Sequence, residues 1–160
     1  MGALEQVRAQ DGRCRLLLAG DGPCRPALEK LTQKLGMAEQ VIFAGLVQKV
    51  ENVYRALDVF LFPSIAEPLG SSLLDAMAYG LPAIAVASGG VPEIIQHGMN
   101  GLLTAEARAD LFAREILGLL RAPERLAGLG AAARETISLR FTADHMVEET
   151  VAAYEEILKA

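Results

Sequence analysis

The residues best equipped for chemistry lie in Glu67-Pro-Leu-Gly-Ser-Ser-Leu-Leu-Asp75, where seven residues separate two carboxylates and a Gly/Ser turn falls between them. This stretch follows the apolar run Val59-Phe-Leu-Phe-Pro63 and leads into Ala76-Met-Ala-Tyr-Gly80, so the turn is expected to open a helix. A helix N-terminus presents unpaired N–H groups and the positive end of the macrodipole, which suits a phosphate. The flanking carboxylates suit hydroxyls. A sugar attached to a nucleoside diphosphate offers both, with hydroxylated rings on either side of its phosphates. Asp75 has Leu73, Leu74, Ala76, Met77 and Ala78 as sequence neighbours, and a carboxylate in apolar surroundings needs a partner. Ser71 lies four residues ahead and shares its helix face.

These residues need a scaffold, and the chain supplies an alternation of apolar runs and amphipathic segments. Arg15-Leu-Leu-Leu-Ala19, Gln40-Val-Ile-Phe-Ala44, Val59-Phe-Leu-Phe62 and Ala83-Ile-Ala-Val-Ala87 are short, apolar and bounded by Gly, Pro or Asp. That is the pattern of strands buried on both faces. Residues 25–35, 49–57, 71–79 and 92–96 read as the intervening helices, and beyond the short run Gly101-Leu-Leu-Thr104 the chain becomes wholly helical. The expected class is α/β, a Rossmann-like doubly wound parallel sheet with right-handed crossovers and C-terminal helices. In the last helix, Val147, Val151, Tyr154 and Leu158 recur at helical spacing behind Thr142 as N-cap, giving an apolar face that packs on this domain or on another.

Ligands of an open parallel sheet bind beyond the carboxyl ends of its strands. Gly20-Asp-Gly22-Pro23, Gly45-Leu-Val47, Pro63 to Gly70 and Ser88-Gly-Gly90 all fall there. Gly20 and Gly22 fit either a tight strand-to-helix turn or a phosphate approach, and without a third glycine and a downstream acid they do not make a dinucleotide fingerprint. Gly45-Leu-Val47 fits a plain connection as well as a ligand wall. In Gly89-Gly-Val-Pro-Glu93, proline and an acid in a first helical turn account for Glu93 without a ligand.

With these motifs assembled, the chain resembles the C-terminal, donor-binding domain of retaining GT-B glycosyltransferases of the GT4, or group 1, family. The similarity runs from Leu16-Leu-Leu-Ala-Gly-Asp-Gly-Pro23 through Val41–Gly45, Ala56–Ser64 and Gly89–Glu93 to Asn100-Gly-Leu-Leu103. The resemblance implies that Glu67 holds hydroxyls of the transferred sugar and the Asp75 carboxylate those of the ribose. It further implies that Leu69, Gly70, Ser71 and Ser72 line the diphosphate, that Gly20 and Gly22 border the phosphates, and that Val47 covers a face of the base. Glu67 and Asp75 are then the catalytic pair. The family usually carries Glu at the second position, and Asp75 shortens that reach by about one carbon–carbon bond; misplacement on the order of 1 Å can cost catalysis heavily. The resemblance also implies that a sugar, lipid or other hydroxyl acceptor is held by an N-terminal domain outside residues 1–160. The stretch that usually offers Arg and Lys to the diphosphate is outside them too; Arg13, Arg15 and Arg25 are poor substitutes by position.

Composition bounds the remaining readings. A chain of 160 residues, 52% hydrophobic and 22% charged, suits one well-buried core and therefore a single domain over 1–160. Fifteen Lys and Arg against twenty Asp and Glu leave a net charge of −5, which argues against nucleic-acid and anionic-membrane partners. No apolar run approaches the ~20 residues of a membrane span, and the start of the chain lacks a basic segment followed by an apolar core; a cytoplasmic setting is expected. Cys14 and Cys24 fall in no metal or redox motif, and His97 and His145 have no acid or Ser/Cys partner in a readable catalytic or metal spacing, so neither a metal nor a separate cofactor is expected. Two other readings stay open: a non-catalytic nucleotide-binding module, in which the Asp75 departure weakened chemistry, and a GT-B-like epimerase or phosphorylase domain. The first retains the pocket; the second lacks the extra acids and histidines, or the lysine, that it would want.

Overall fold

In a computed structural model, which describes residues 1–159, five short parallel strands alternate with helices. The order is α1 (Gly2–Arg8), β1 (Leu16–Ala19), α2 (Arg25–Lys34), β2 (Val41–Gly45), α3 (Val50–Arg55), β3 (Phe60–Phe62), α4 (Ser71–Ala78), β4 (Ala83–Val86), α5 (Val91–Ile94), β5 (Leu102–Thr104), α6 (Ala109–Leu120), α7 (Pro123–Arg140) and α8 (Ala143–Lys159). Every apolar run read as a strand is one. The parallel α/β class holds, with one refinement: the strands form two hydrogen-bonded sheets, β1–β2 and β3–β4–β5. β4 is buried along its whole length, as its unbroken apolar sequence requires, whereas Leu16–Leu18 of β1 are half-buried.

Two helical layers enclose the larger sheet. Ile84, Val86 and Leu102 pack with Phe112 and Leu119 of α6 and Leu129 of α7, while Ala83 and Ala85 pack with Leu73 and Met77 of α4 and Ala133 of α7. Leu73 and Met77 are fully buried, and each such side chain contributes about 1.5–3 kcal/mol of transfer free energy. α1 reaches both cores, Ala3 against the cluster on β4 and β5 and Leu4 beside Met37 and Val41 of the smaller sheet. α7 approaches the end of α4 at Gly130, where a Cβ would lie 2.3 Å from the Gly80 carbonyl oxygen.

The helix expected at 92–96 is a single turn at Val91–Ile94, because Ile95 is already extended and Asn100 takes over the backbone. The Asn100 side chain accepts from the Gln96 N–H at 2.7 Å and donates to the Ile94 carbonyl at 3.0 Å and to Thr136 Oγ1 at 2.9 Å. Thr142 caps α8 as expected, its Oγ1 accepting from the His145 N–H at 3.2 Å. The apolar face of α8 is uncovered: Val147, Val151, Tyr154 and Leu158 are 50–84% exposed. Packing of that face within these residues, one of the two expectations, does not occur.

Candidate donor site at the strand ends

Gly70 is the pivot of the strongest motif. It adopts the left-handed conformation, φ 76° and ψ 61°, immediately ahead of α4. A side chain would strain that backbone and meet the Phe62 ring at 3.1 Å, so glycine both turns the chain and lets it lie on β3. The helix that follows starts with Ser71 and Ser72, whose N–H groups are first-turn donors without carbonyl partners in the helix. Ser71 is exposed, Ser72 half-buried, and Leu69 beside them is 53% exposed.

Glu67 is held by the neighbouring loop. Its carbonyl accepts from the Gly90 N–H at 3.1 Å, and one residue earlier the Ala66 N–H donates to Ser88 Oγ at 3.0 Å. A Cβ on Gly89 would sit 2.1 Å from the Glu67 carbonyl oxygen, and one on Gly90 2.2 Å from that of Pro68. The Gly89-Gly90 pair is thus required by close contact between two loops. Residues 67–72 and 88–90, expected on one rim, are packed together.

Asp75 departs from its sequence expectation. It lies on an exposed position of α4, so burial does not force a partner on it. It nevertheless has a neighbour that sequence reasoning missed: the Tyr54 hydroxyl stands 3.5 Å from Asp75 Oδ2 and 3.4 Å from the Ser72 carbonyl. Tyr54 is 5% exposed, its ring stacked on Tyr79 at 5.3 Å and edge-on to Phe60 at 6.1 Å. Burial, and then the Asp75 charge, push its phenol up, so it remains a proton donor at neutral pH. In the sequence Tyr54 reads only as one apolar position of a short helix; no local signal ties it to Asp75.

Gly20, Gly22 and Val47 assemble at the ends of β1 and β2. The Gly20 N–H donates to the Gly45 carbonyl at 2.7 Å, and both glycines have positive φ, 118° and 65°. Arg25 stands over this turn, pairing with Asp21 at 3.0 Å and Glu29 at 2.8 Å, which neutralises its charge locally. Gly20 and Gly22 are exposed and Val47 is half-buried, whereas Leu46 is 84% exposed and is the more open apolar side chain of that loop. Among the described residues no hydrogen bond joins this pair of loops to residues 67–72 and 88–90.

An open groove of about 650 Å³ lies beside Leu69, between Leu69 and Leu74 on one side and Phe141, Met146 and Tyr154 on the other. His145 lines it and pairs with Glu149 at 3.3 Å; His97 Nδ1 accepts from the Leu103 N–H at 2.9 Å, a structural bond. Among the described residues no three metal-ligating side chains gather, and no helix is long and apolar enough to cross a membrane.

Comparison with known proteins places this geometry. The family model of group 1 glycosyl transferases matches residues 1–122. The chain belongs to this family. An N-acetyl-alpha-D-glucosaminyl L-malate synthase from Bacillus anthracis is 33% identical over 145 residues, which are 91% of this chain and 38% of that protein. The structure of Anabaena HepE in complex with UDP-glucose superposes with a TM-score of 0.82 at 26% identity, over 94% of this chain and 44% of that one. The C-terminal domain of a Francisella tularensis group 1 glycosyl transferase superposes with a TM-score of 0.79 at 21% identity, over 89% of this chain and 79% of that domain. The fold is therefore that of the C-terminal half of a GT-B glycosyltransferase, and the chain spans well under half the length of the curated relative it matches.

Proposed function

We propose that residues 1–160 form the donor-binding domain of a retaining glycosyltransferase that works in the cytoplasm and takes its sugar from a nucleoside diphosphate. One observation carries the reading: loop 67–70 is clamped on Gly89-Gly90 so that left-handed Gly70 opens α4 directly between Glu67 and Asp75. In that arrangement Leu69, Gly70, Ser71 and Ser72 line the diphosphate, with first-turn N–H groups directed at charge that grows as the bond between anomeric carbon and phosphate oxygen breaks. Glu67 accepts from hydroxyls of the transferred sugar. Asp75, oriented by Tyr54, accepts from the ribose, while Gly20, Gly22 and Val47 border the phosphates and base. The complex of HepE with UDP-glucose supports a donor of this class.

The protein's work is to orient the donor and stabilise the departing diphosphate. An acceptor hydroxyl comes from a second domain, as the length of the relatives supports. Isothermal titration of the full-length protein with UDP-, GDP- and ADP-sugars tests the assignment. One nucleotide sugar is expected to bind, with amide shifts at residues 20–23, 45–47, 67–72 and 88–90; shifts confined to α7 and α8 would refute it.

A further inference from the structure

We infer that Ser88 is a positioning residue for Glu67: its hydroxyl locks the backbone that aims the carboxylate, and so sets how strongly the site prefers a nucleotide sugar to the bare diphosphate. The ligand preference rests on the donor-binding reading. The lock itself stands in the fold.

Strain marks the place. Ala66, immediately ahead of Glu67, has φ 59° and is the one non-glycine residue with positive φ among the described residues. Asparagine and aspartate ease that conformation with a local side-chain hydrogen bond; alanine cannot, and its Cβ crowds the following carbonyl. Such a residue persists only where its surroundings over-determine it, and such places cluster at ligand clamps.

Here the surroundings are two anchors. The Ala66 N–H donates to Ser88 Oγ at 3.0 Å, and the Glu67 carbonyl accepts from the Gly90 N–H at 3.1 Å. Between those atoms the only soft torsions are the φ and ψ of Ala66 and Glu67, which decide where the Glu67 side chain leaves the main chain. Pro68 narrows them further, since a residue ahead of proline is held to extended backbone. The base of the first anchor is rigid. Ser88 lies two residues beyond buried β4; the Ala87 N–H donates to the Thr104 carbonyl at 2.8 Å, the Ser88 N–H to the Val86 carbonyl at 2.8 Å, and the Ser88 carbonyl accepts from the Val91 N–H at 3.3 Å.

The Glu67 carboxylate has no support of its own. Glu67 is half-buried, and among the described residues no group hydrogen-bonds or pairs with its side chain, whereas Asp75 has the Tyr54 hydroxyl. Its direction is therefore set through the main chain, where loss of one hydroxyl is felt. Ser71 and Ser72, by contrast, are placed by left-handed Gly70 and α4. Removing the Ser88 hydroxyl thus takes affinity from the transferred sugar and leaves the diphosphate its donors.

The test uses the full-length protein as wild type, Ser88→Ala, Ser88→Thr, Glu67→Ala and the Ser88→Ala, Glu67→Ala double variant. Amide hydrogen exchange reads the lock without any ligand: the Gly90 amide should exchange roughly tenfold faster in Ser88→Ala and recover in Ser88→Thr, with the Leu73 and Ile84 amides unchanged. Gly90 exchange that is indifferent to the Ser88 hydroxyl would overturn the inference. Ala66→Gly should raise the melting temperature by relieving the strain; a fall would show that there is no strain for Ser88 to hold. UDP-, GDP- and ADP-glucose are then each titrated beside the matching diphosphate. For a pair that binds, the preference for the sugar form should drop roughly fivefold in Ser88→Ala with diphosphate affinity kept, recover in Ser88→Thr, and drop no further when Ser88→Ala is added to Glu67→Ala. A wild type without preference, an unchanged preference, an equal loss for both ligands, or an effect that persists without the Glu67 carboxylate would each overturn the role of Ser88. Wild-type protein that binds none of these ligands would sink the donor reading instead, and the exchange measurement would still decide the lock.

Discussion

In the proposed site Asp75 is the acceptor for the ribose hydroxyls, its carboxylate exposed on α4 and hydrogen-bonded by the buried Tyr54 hydroxyl. Asp75→Ala should weaken nucleotide binding by about 1.5–3 kcal/mol, the usual worth of a charged hydrogen-bond acceptor, while Asp75→Glu should retain or improve it by extending the reach. Equal titration isotherms for the wild type and Asp75→Ala, both folded, would remove Asp75 from the site. Tyr54→Phe isolates the positioning role, since the ring keeps its packing on Phe60 and Tyr79. At 3.5 Å the bond is long, so its loss should cost about 0.5–1 kcal/mol in nucleotide affinity with an unchanged melting temperature. If Tyr54→Phe binds as well as wild type, the phenol does not orient the carboxylate. The motif Glu67 to Asp75 was legible because its glycine, serines and acids announce a turn into a helix. Tyr54 was not, since its proximity to Asp75 is made by tertiary packing of α3 on α4 and leaves no spacing to read.

At the scale of elements, backbone approach at glycines sets two contacts with different consequences. A methyl group on Gly90 would meet the Pro68 carbonyl, displacing the loop that carries Glu67; on Gly130 it would meet the Gly80 carbonyl and push α7 from α4. Both Gly90→Ala and Gly130→Ala should destabilise the fold by about 1–3 kcal/mol, as overpacking does. Only Gly90→Ala should also lower donor affinity when measured well below its melting temperature. Matching losses of affinity in both variants would show that loop placement is not what Gly90 contributes. Four strand positions were legible for the same elementary reason, short apolar runs bounded by Gly, Pro or Asp, while β5 showed only as the short run Gly101-Leu-Leu-Thr104. The division into two sheets was not, because pairing depends on which strand lies beside which, and a run such as Leu16-Leu-Leu18 has the same sequence whether one edge or both are bonded. The end of α5 was equally hidden, for it is set by Asn100 reaching back across a turn.

For the whole molecule, the question is how much of an enzyme one wall of a cleft can be. The proposed donor site offers one wall of a cleft, but glycosyl transfer requires the acceptor oxygen aligned at attacking distance on the anomeric carbon, and a bound donor alone does not lower that barrier. The apolar face of α8 is uncovered, β1 is half-buried, and the chain spans 38% of the length of the malate synthase it matches. Residues 1–160 by themselves are therefore expected to bind donor weakly and at most hydrolyse it slowly. The measurement is transfer by this chain and by its full-length parent with one donor and one acceptor at matched concentrations. The parent should turn over and the 160-residue chain should not; comparable turnover would place an acceptor site among the loops described here and refute the division of labour.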